Sequence, residues 1–129
     1  MKVLVTGAAG FIGSHLVQKL LASGREVIGV DNFLDNYSRR FKDDNLALFA
    51  AEKNFTFVTG DLLNLDLKTL LRDVEVVFHL AGQPGVRSSW GKEFSRYTEN
   101  NIMATQLLLE AAKDVKPAKS VYQATSSVF

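Results

Sequence analysis

The chain has no cysteine, two prolines, one tryptophan and two methionines in 129 residues. Without cysteine there is no disulfide and no Cys-ligated metal. Its two histidines, His15 and His79, have no spacing that suggests a metal site. Fifteen basic residues against fourteen acidic ones leave a formal net charge of +1. That balance gives no reason to expect nucleic acid as a partner, and no charge run reads as a tail. No apolar run is long enough to span a bilayer. Met1-Lys2-Val3 leads directly into an apolar stretch without signal-peptide architecture, so cytoplasmic residence is the expectation. What is present is ordinary for one globular domain: 47% hydrophobic and 22% charged residues.

The most informative segment is Gly7-Ala8-Ala9-Gly10-Phe11-Ile12-Gly13, directly after Val3-Leu4-Val5. An apolar strand runs into a glycine-rich turn, and the turn opens a helix. Glycine lets the backbone bend tightly and lets a pyrophosphate approach without a Cβ in the way. The helix N-terminus offers unpaired N–H groups and the positive end of a dipole. A dinucleotide is the natural guest.

Apolar runs alternate with helical patterns along the rest. Strands are expected at about Lys2–Thr6, Glu26–Asp31, Phe55–Thr59, Glu75–Leu80 and Lys119–Thr125. Helices are expected at about Gly10–Ser23, Arg39–Lys53, Leu67–Arg72 and Glu93–Asp114. In the second helix Leu46, Leu48 and Phe49 read as partly buried. In the last, Ile102, Leu107, Leu108 and Ala111 carry the apolar face. Strands separated by helices imply right-handed crossovers and a parallel sheet covered on both faces. The expected fold is therefore α/β: a Rossmann-type doubly wound parallel sheet, truncated after the fifth strand, with residues 1–129 as the N-terminal part of one dinucleotide-binding domain and no substrate lobe.

Ligands of such sheets bind outside the carboxyl ends of the strands. Gly7, Asp31, Asp61, Ala81-Gly82 and Thr125 stand there. Asp31 ends the second strand, eighteen residues past Gly13. A carboxylate in that place accepts from ribose hydroxyls and repels a 2′-phosphate, which favours NAD over NADP; a turn cap is the alternative. Arg39 and Arg40 read as a solvated helix face. Both histidines read as packed residues rather than catalytic ones.

The spacing of glycines 7, 10 and 13 resembles the short-chain dehydrogenase/reductase superfamily. The extended, nucleotide-sugar epimerase/dehydratase branch is matched by further segments along essentially the whole chain. There the acid after the third strand and its neighbour contact adenine, which implies those roles for Asp61 and Leu62; an N-cap or turn is the alternative for Asp61. His79-Leu80-Ala81-Gly82 resembles H-x-A-[AG], where small residues let backbone pass the cofactor. Asn100-Asn101-Ile102 with Ala104-Thr105 resembles N-[VI]-x-[GA]-T, which implies that Asn101 holds backbone or water near the site, or is simply a satisfied amide. Phe11, Ile12, Asn32 and Leu80 complete the residues assigned to NAD.

Gln123 to Phe129 resembles S-S-[ST]-x-x-V-Y and places the catalytic Ser/Thr at Thr125, with Phe129 where tyrosine is usual. Ser126 and Ser127 stand where 4,6-dehydratases carry Asp-Glu. Gly85-Val86-Arg87-Ser88-Ser89 looks like the A-G-V-R-x-S loop of UDP-glucose and UDP-glucuronate 4-epimerases, which offers Arg87 to a substrate phosphate or carboxylate; a surface arginine is the alternative. The resemblance implies transient oxidation at C4 of a nucleotide sugar, with a tyrosine in Tyr-x-x-x-Lys as base. Tyr37, Tyr97 and Tyr122 are followed four residues on by Phe41, Asn101 and Ser126, so the chain has no such motif. It is expected to be inactive alone: a piece of a 4-epimerase-like enzyme, a piece of a dehydratase or decarboxylase, or a stand-alone NAD-binding or oligomerisation module. The edge at the fifth strand and the long helix predict a homo-oligomer.

Overall fold

The computed structural model describes residues 1–125. Five parallel strands form one sheet in the order β3-β2-β1-β4-β5. They are β1 (Lys2–Thr6), β2 (Glu26–Asp31), β3 (Phe55–Thr59), β4 (Val76–His79) and β5 (Lys119–Tyr122). The doubly wound sheet expected from the alternating pattern is the one found, with the reversal of strand order beside β1. Ligands collect at such a reversal.

Pleating sorts the strand residues onto two cores. Val3, Val5 and Val27 face α1 (Phe11–Ala22) and α2 (Arg39–Ala47), and pack with Val17, Leu20, Phe49 and Phe55. Leu4, Ile28, Val30 and Val77 face the other way. They pack under α3 (Leu67–Leu70) and α5 (Ala104–Val115) against Leu67, Leu71, Leu108 and Ala111. Residues of β1 and β2 are buried on both faces because both layers cover them. All four residues of β5, at the sheet edge, are exposed.

The short helix α3 ends at Leu70, two residues before the expected Arg72, and two further helices depart more widely from the expectation. The second ends at Ala47 instead of Lys53, so Leu48 is 64% exposed while Phe49 still reaches the core. The long helix is not one regular helix. It consists of a 3₁₀ turn at Gly91–Glu93, a short helix α4 (Phe94–Tyr97), a π-helical stretch at Thr98–Met103, and then α5. Ile102 is exposed, not buried. It lies in the π-helical stretch, whose wider i→i+5 turn departs from the α-helical spacing the sequence pattern assumed. Strand β5 ends at Tyr122, three residues short of the expected end.

Candidate functional site

A cavity of about 300 Å³ opens at the carboxyl ends of β1 to β4. Its floor is the β1–α1 turn. Gly7 has φ +70°, a left-handed conformation that favours glycine, and a Cβ there would stand 3.0 Å from the backbone nitrogen of Ala81. A Cβ on Gly13 would stand 2.0 Å from the Gly7 carbonyl oxygen, closer than any side chain tolerates. Strand, turn and helix therefore touch backbone to backbone. Gly10, at the N-cap of α1, provides no side-chain cap, so the first-turn N–H groups keep their capacity to donate. Phe11 and Ile12 are exposed at the start of the helix and, with the three glycines, line the cavity.

At the end of β2, Asp31 is buried and occupied. Its Oδ2 accepts from the Ala9 amide at 3.1 Å, and its Oδ1 accepts from the Phe33 amide at 2.8 Å and from Lys42 Nζ at 3.2 Å. The carboxylate serves as a turn cap and still reaches the cavity wall. Nearby, Asn32 spans strand ends. Its Nδ2 donates to Asp61 Oδ2 and to Asn100 Oδ1, both at 3.5 Å, while its Oδ1 accepts from the Leu34 amide. Asp61 caps its own turn by accepting from the Leu63 amide at 2.9 Å; it and Leu62 line the cavity. The buried Oδ1 of Asn36, also on the wall, has no hydrogen-bond partner among the described residues.

Beyond β4, Leu80, Ala81 and Gly82 form the opposite wall. Thr6 ties this wall to β1. Its Oγ1 accepts from the Leu80 and Ala81 amides, both at 3.1 Å, so its own proton goes to His79 Nδ1 at 2.7 Å. His79 Nε2 then donates to Thr105 Oγ1, which donates to the Asn101 carbonyl. Burial pushes His79 down to about 4 and holds the ring neutral. It is the packed residue the sequence suggested. His15 is not: it lies on the exposed face of α1, with Nδ1 2.7 Å from the Phe11 carbonyl. A position one turn into a surface helix is as often outward as inward, and the sequence does not settle which.

Asn101 does not line the cavity. Its Oδ1 accepts from the Gln83 amide at 2.6 Å and its Nδ2 donates to the Gln83 carbonyl at 3.1 Å, pinning the loop after β4. The π-helical stretch puts its neighbour Asn100 on the wall instead. Arg96 braces the same loop. It donates to Gln83 Oε1 at 3.1 Å and pairs with Glu93 and, closely, with Asp35, whose carboxyl it holds below the usual range. Arg87 is exposed on the loop and is not on the wall of this cavity. Thr125 is exposed beyond Gln123, which does reach the cavity. Ser126, Ser127, Val128 and Phe129 lie outside the described residues.

Sequence reasoning missed Lys42, Asn36, Asn100 and Gln123. Lys42 stands in Arg39-Arg40-Phe41-Lys42-Asp43-Asp44, which reads as a solvated face. Arg39 and Arg40 do form that face, pairing with Asp43 and Asp44, while Lys42 turns inward. Asn100 could have been found: it adjoins Asn101 in a polar pair inside a helical pattern, where asparagine is costly. Among the described residues no helix is long and apolar enough to cross a membrane.

Sheet order, glycine turn and crevice define a doubly wound α/β domain built around its β1–α1 turn. The family model described as GDP-mannose 4,6 dehydratase matches residues 4–129, and the chain belongs to that family. It is 50% identical over 130 residues to an uncharacterized UDP-glucose epimerase, YtcB, of Bacillus subtilis (strain 168), covering 100% of this chain and 41% of that protein. It is 40% identical to a UDP-glucuronate 4-epimerase of Thermodesulfobacterium geofontis (strain OPF15), covering 98% of this chain and 40% of the relative. The crystal structure of UDP-glucuronic acid 4-epimerase from Bacillus cereus, in complex with UDP-glucuronic acid and NAD, superposes with a TM-score of 0.96 at 52% identity, over 100% of this chain and 41% of the other. The chain thus spans about two fifths of the length of the relatives it matches.

Proposed function

We propose that this chain is the NAD-binding part of a nucleotide-sugar 4-epimerase. The observation that carries the reading is the glycine turn on the cavity wall: a Cβ at Gly7 would press on the Ala81 backbone and one at Gly13 would collide with the Gly7 carbonyl, so only glycine lets strand, turn and helix lie this close beside the crevice. The crevice fits the dinucleotide. It offers uncapped helix amides to the pyrophosphate, carboxylates at the ends of β2 and β3, and an unsatisfied acceptor in Asn36. The likeness to epimerases solved with NAD supports the same reading.

In this proposal Gly7, Gly10, Phe11, Ile12 and Gly13 receive the pyrophosphate. Asp31 and Asn32 hold the adenosine ribose, and Asp61 and Leu62 hold the adenine. Leu80, Ala81 and Gly82 keep the opposite wall small, with Asn101 positioning it through Gln83. Bound NAD supplies a hydride acceptor and donor; the protein supplies placement and charge. Thr125 would hydrogen-bond the sugar hydroxyl, and Arg87 would meet a phosphate or carboxylate of the nucleotide sugar.

The 129 residues contain no Tyr-x-x-x-Lys to take the hydroxyl proton. They therefore bind NAD without epimerising UDP-glucose or UDP-glucuronate, which also accommodates a non-catalytic NAD-binding module. Residence in the cytoplasm belongs to the same proposal, as does a homo-oligomer formed through β5 or through the outward face of the long helical segment, where Phe94, Ile102, Met103 and Leu109 are exposed. Calorimetric titration with NAD+ tests the core of the reading. Saturable binding that is lost on Gly13→Ala is expected; absence of heat with the folded protein overturns it.

A further inference from the structure

Lys42 is the one buried residue of α2. Its side chain is 7% exposed, that of Asp31 5%, and their charged atoms stand 3.2 Å apart on the wall of the cavity. A lysine is almost never buried unless it is paired. As a stability device such a pair gains little, because the cost of desolvating two charges offsets their attraction. Placed on a binding wall, the pair has another consequence. Asp31 alone would present a negative charge to whatever lies at the end of β2. With Lys42 beside it the pair is close to neutral, and the ammonium has two further protons to donate.

We infer that Lys42 is a specificity-determining residue of the dinucleotide crevice. It donates to the adenosine ribose beside Asp31, and it cancels the charge by which Asp31 would reject a 2′-phosphate. The inference rests on the NAD-binding reading above. It reassigns the choice between NAD and NADP from one carboxylate to an ion pair. Removing the cation should sharpen the preference for NAD. Removing the anion should reverse it, because an unpaired ammonium at the ribose favours a phosphate.

The experiment titrates the protein and its variants with NAD+ and with NADP+ by calorimetry. The readout is the ratio of the two dissociation constants, in which any general loss of folded protein cancels. Lys42→Met should weaken NAD+ about tenfold and NADP+ about a hundredfold. Asp31→Asn should make NADP+ the tighter ligand. The double variant Asp31→Asn/Lys42→Met, which leaves no buried charge unpaired, should return the ratio to near that of the unaltered protein. If Lys42→Met does not fold, the step from Asp31→Asn to the double variant carries the test, and NADP+ should weaken about tenfold across it. The same ratio in all variants overturns the inference while leaving the NAD-binding reading standing. An unaltered protein that binds neither dinucleotide overturns both.

Discussion

The two walls of the crevice are made by different means. On the β1–α1–β2 side the contacts are backbone to backbone. A Cβ at Gly13 would lie 2.0 Å from the Gly7 carbonyl oxygen and 2.8 Å from its carbonyl carbon. On the side of β4 and the helical segment that follows, side chains do the joining. Asn101 holds Gln83, Arg96 braces the loop, and His79 links Thr6 to Thr105. Gly91, at the start of that segment, has nothing within 4 Å of where a Cβ would stand. Backbone packing tolerates almost no substitution, because atoms that cannot rotate away must move the chain. Side-chain hydrogen bonds can be lost one at a time.

The sharpest way to break this comparison is to add one methyl group to each wall. Gly13→Ala should cost about 3 kcal/mol or more, since a rigid carbonyl occupies the space. Gly91→Ala should cost only about 1 kcal/mol, the strain of φ +71°. Urea denaturation of both variants measures the difference, and similar losses would mean that the turn can open.

The second prediction concerns His79. Burial holds it at about 4, below the 6.5 of the unfolded chain. Between these values the unfolded state binds a proton that the folded state refuses, so the unfolded state gains as pH falls. Stability from this group is complete above pH 6.5 and declines toward pH 4, by about 3 kcal/mol in all. Urea midpoints across that range should fall in the parent protein and fall less in His79→Gln. Equal slopes would show that the imidazole accepts its proton without disturbing Thr6 and Thr105.

A smaller effect is expected at Asn101. Asn101→Ala leaves the backbone of Gln83 without two partners and should cost about 1–3 kcal/mol. Hydrogen exchange should rise in the loop after β4 and remain unchanged at β1 and β2. Uniform acceleration throughout would mean that the two walls unfold together.

The smallest effect concerns the outward face. Ile102→Ser should change the stability of an isolated copy by less than about 0.5 kcal/mol, because the side chain is 64% exposed. If this face meets a second copy, the melting temperature of the parent should rise with protein concentration and that of the variant should not. Concentration-independent melting of both would remove this face as the contact.

The wall that depends on backbone was the more legible in the sequence. Gly7, Gly10 and Gly13 announce a turn because φ +70° strains a side chain at Gly7 and the Gly7 carbonyl leaves no room for one at Gly13, and β1, β2 and β3 were found to the residue because their apolar runs are short, rich in β-branched and aromatic residues and bounded by turn signals. The side-chain wall was read less well. Asn101 was expected to hold backbone or water near the site, or to be simply a satisfied amide; its amide bonds the Gln83 backbone, and the neighbour on the cavity wall is Asn100. The break in the long helix was invisible: a π-helical stretch has no propensity signal of its own, and it arises where packing and hydrogen bonding from elsewhere outweigh helix regularity.

By itself, the order of strands, helices and glycines determined the layer architecture and the end of the sheet where a ligand belongs. Those follow from local pattern and from the handedness of the crossovers. Only the tertiary structure decided that Asp31 is not a lone carboxylate. Lys42 lies eleven residues away in a run of charges, and no periodicity distinguishes it from the solvated arginines beside it. Its side chain reaches from α2 to the end of β2, where the Asp31 carboxylate and the face of the Tyr37 ring make burying an ammonium tolerable.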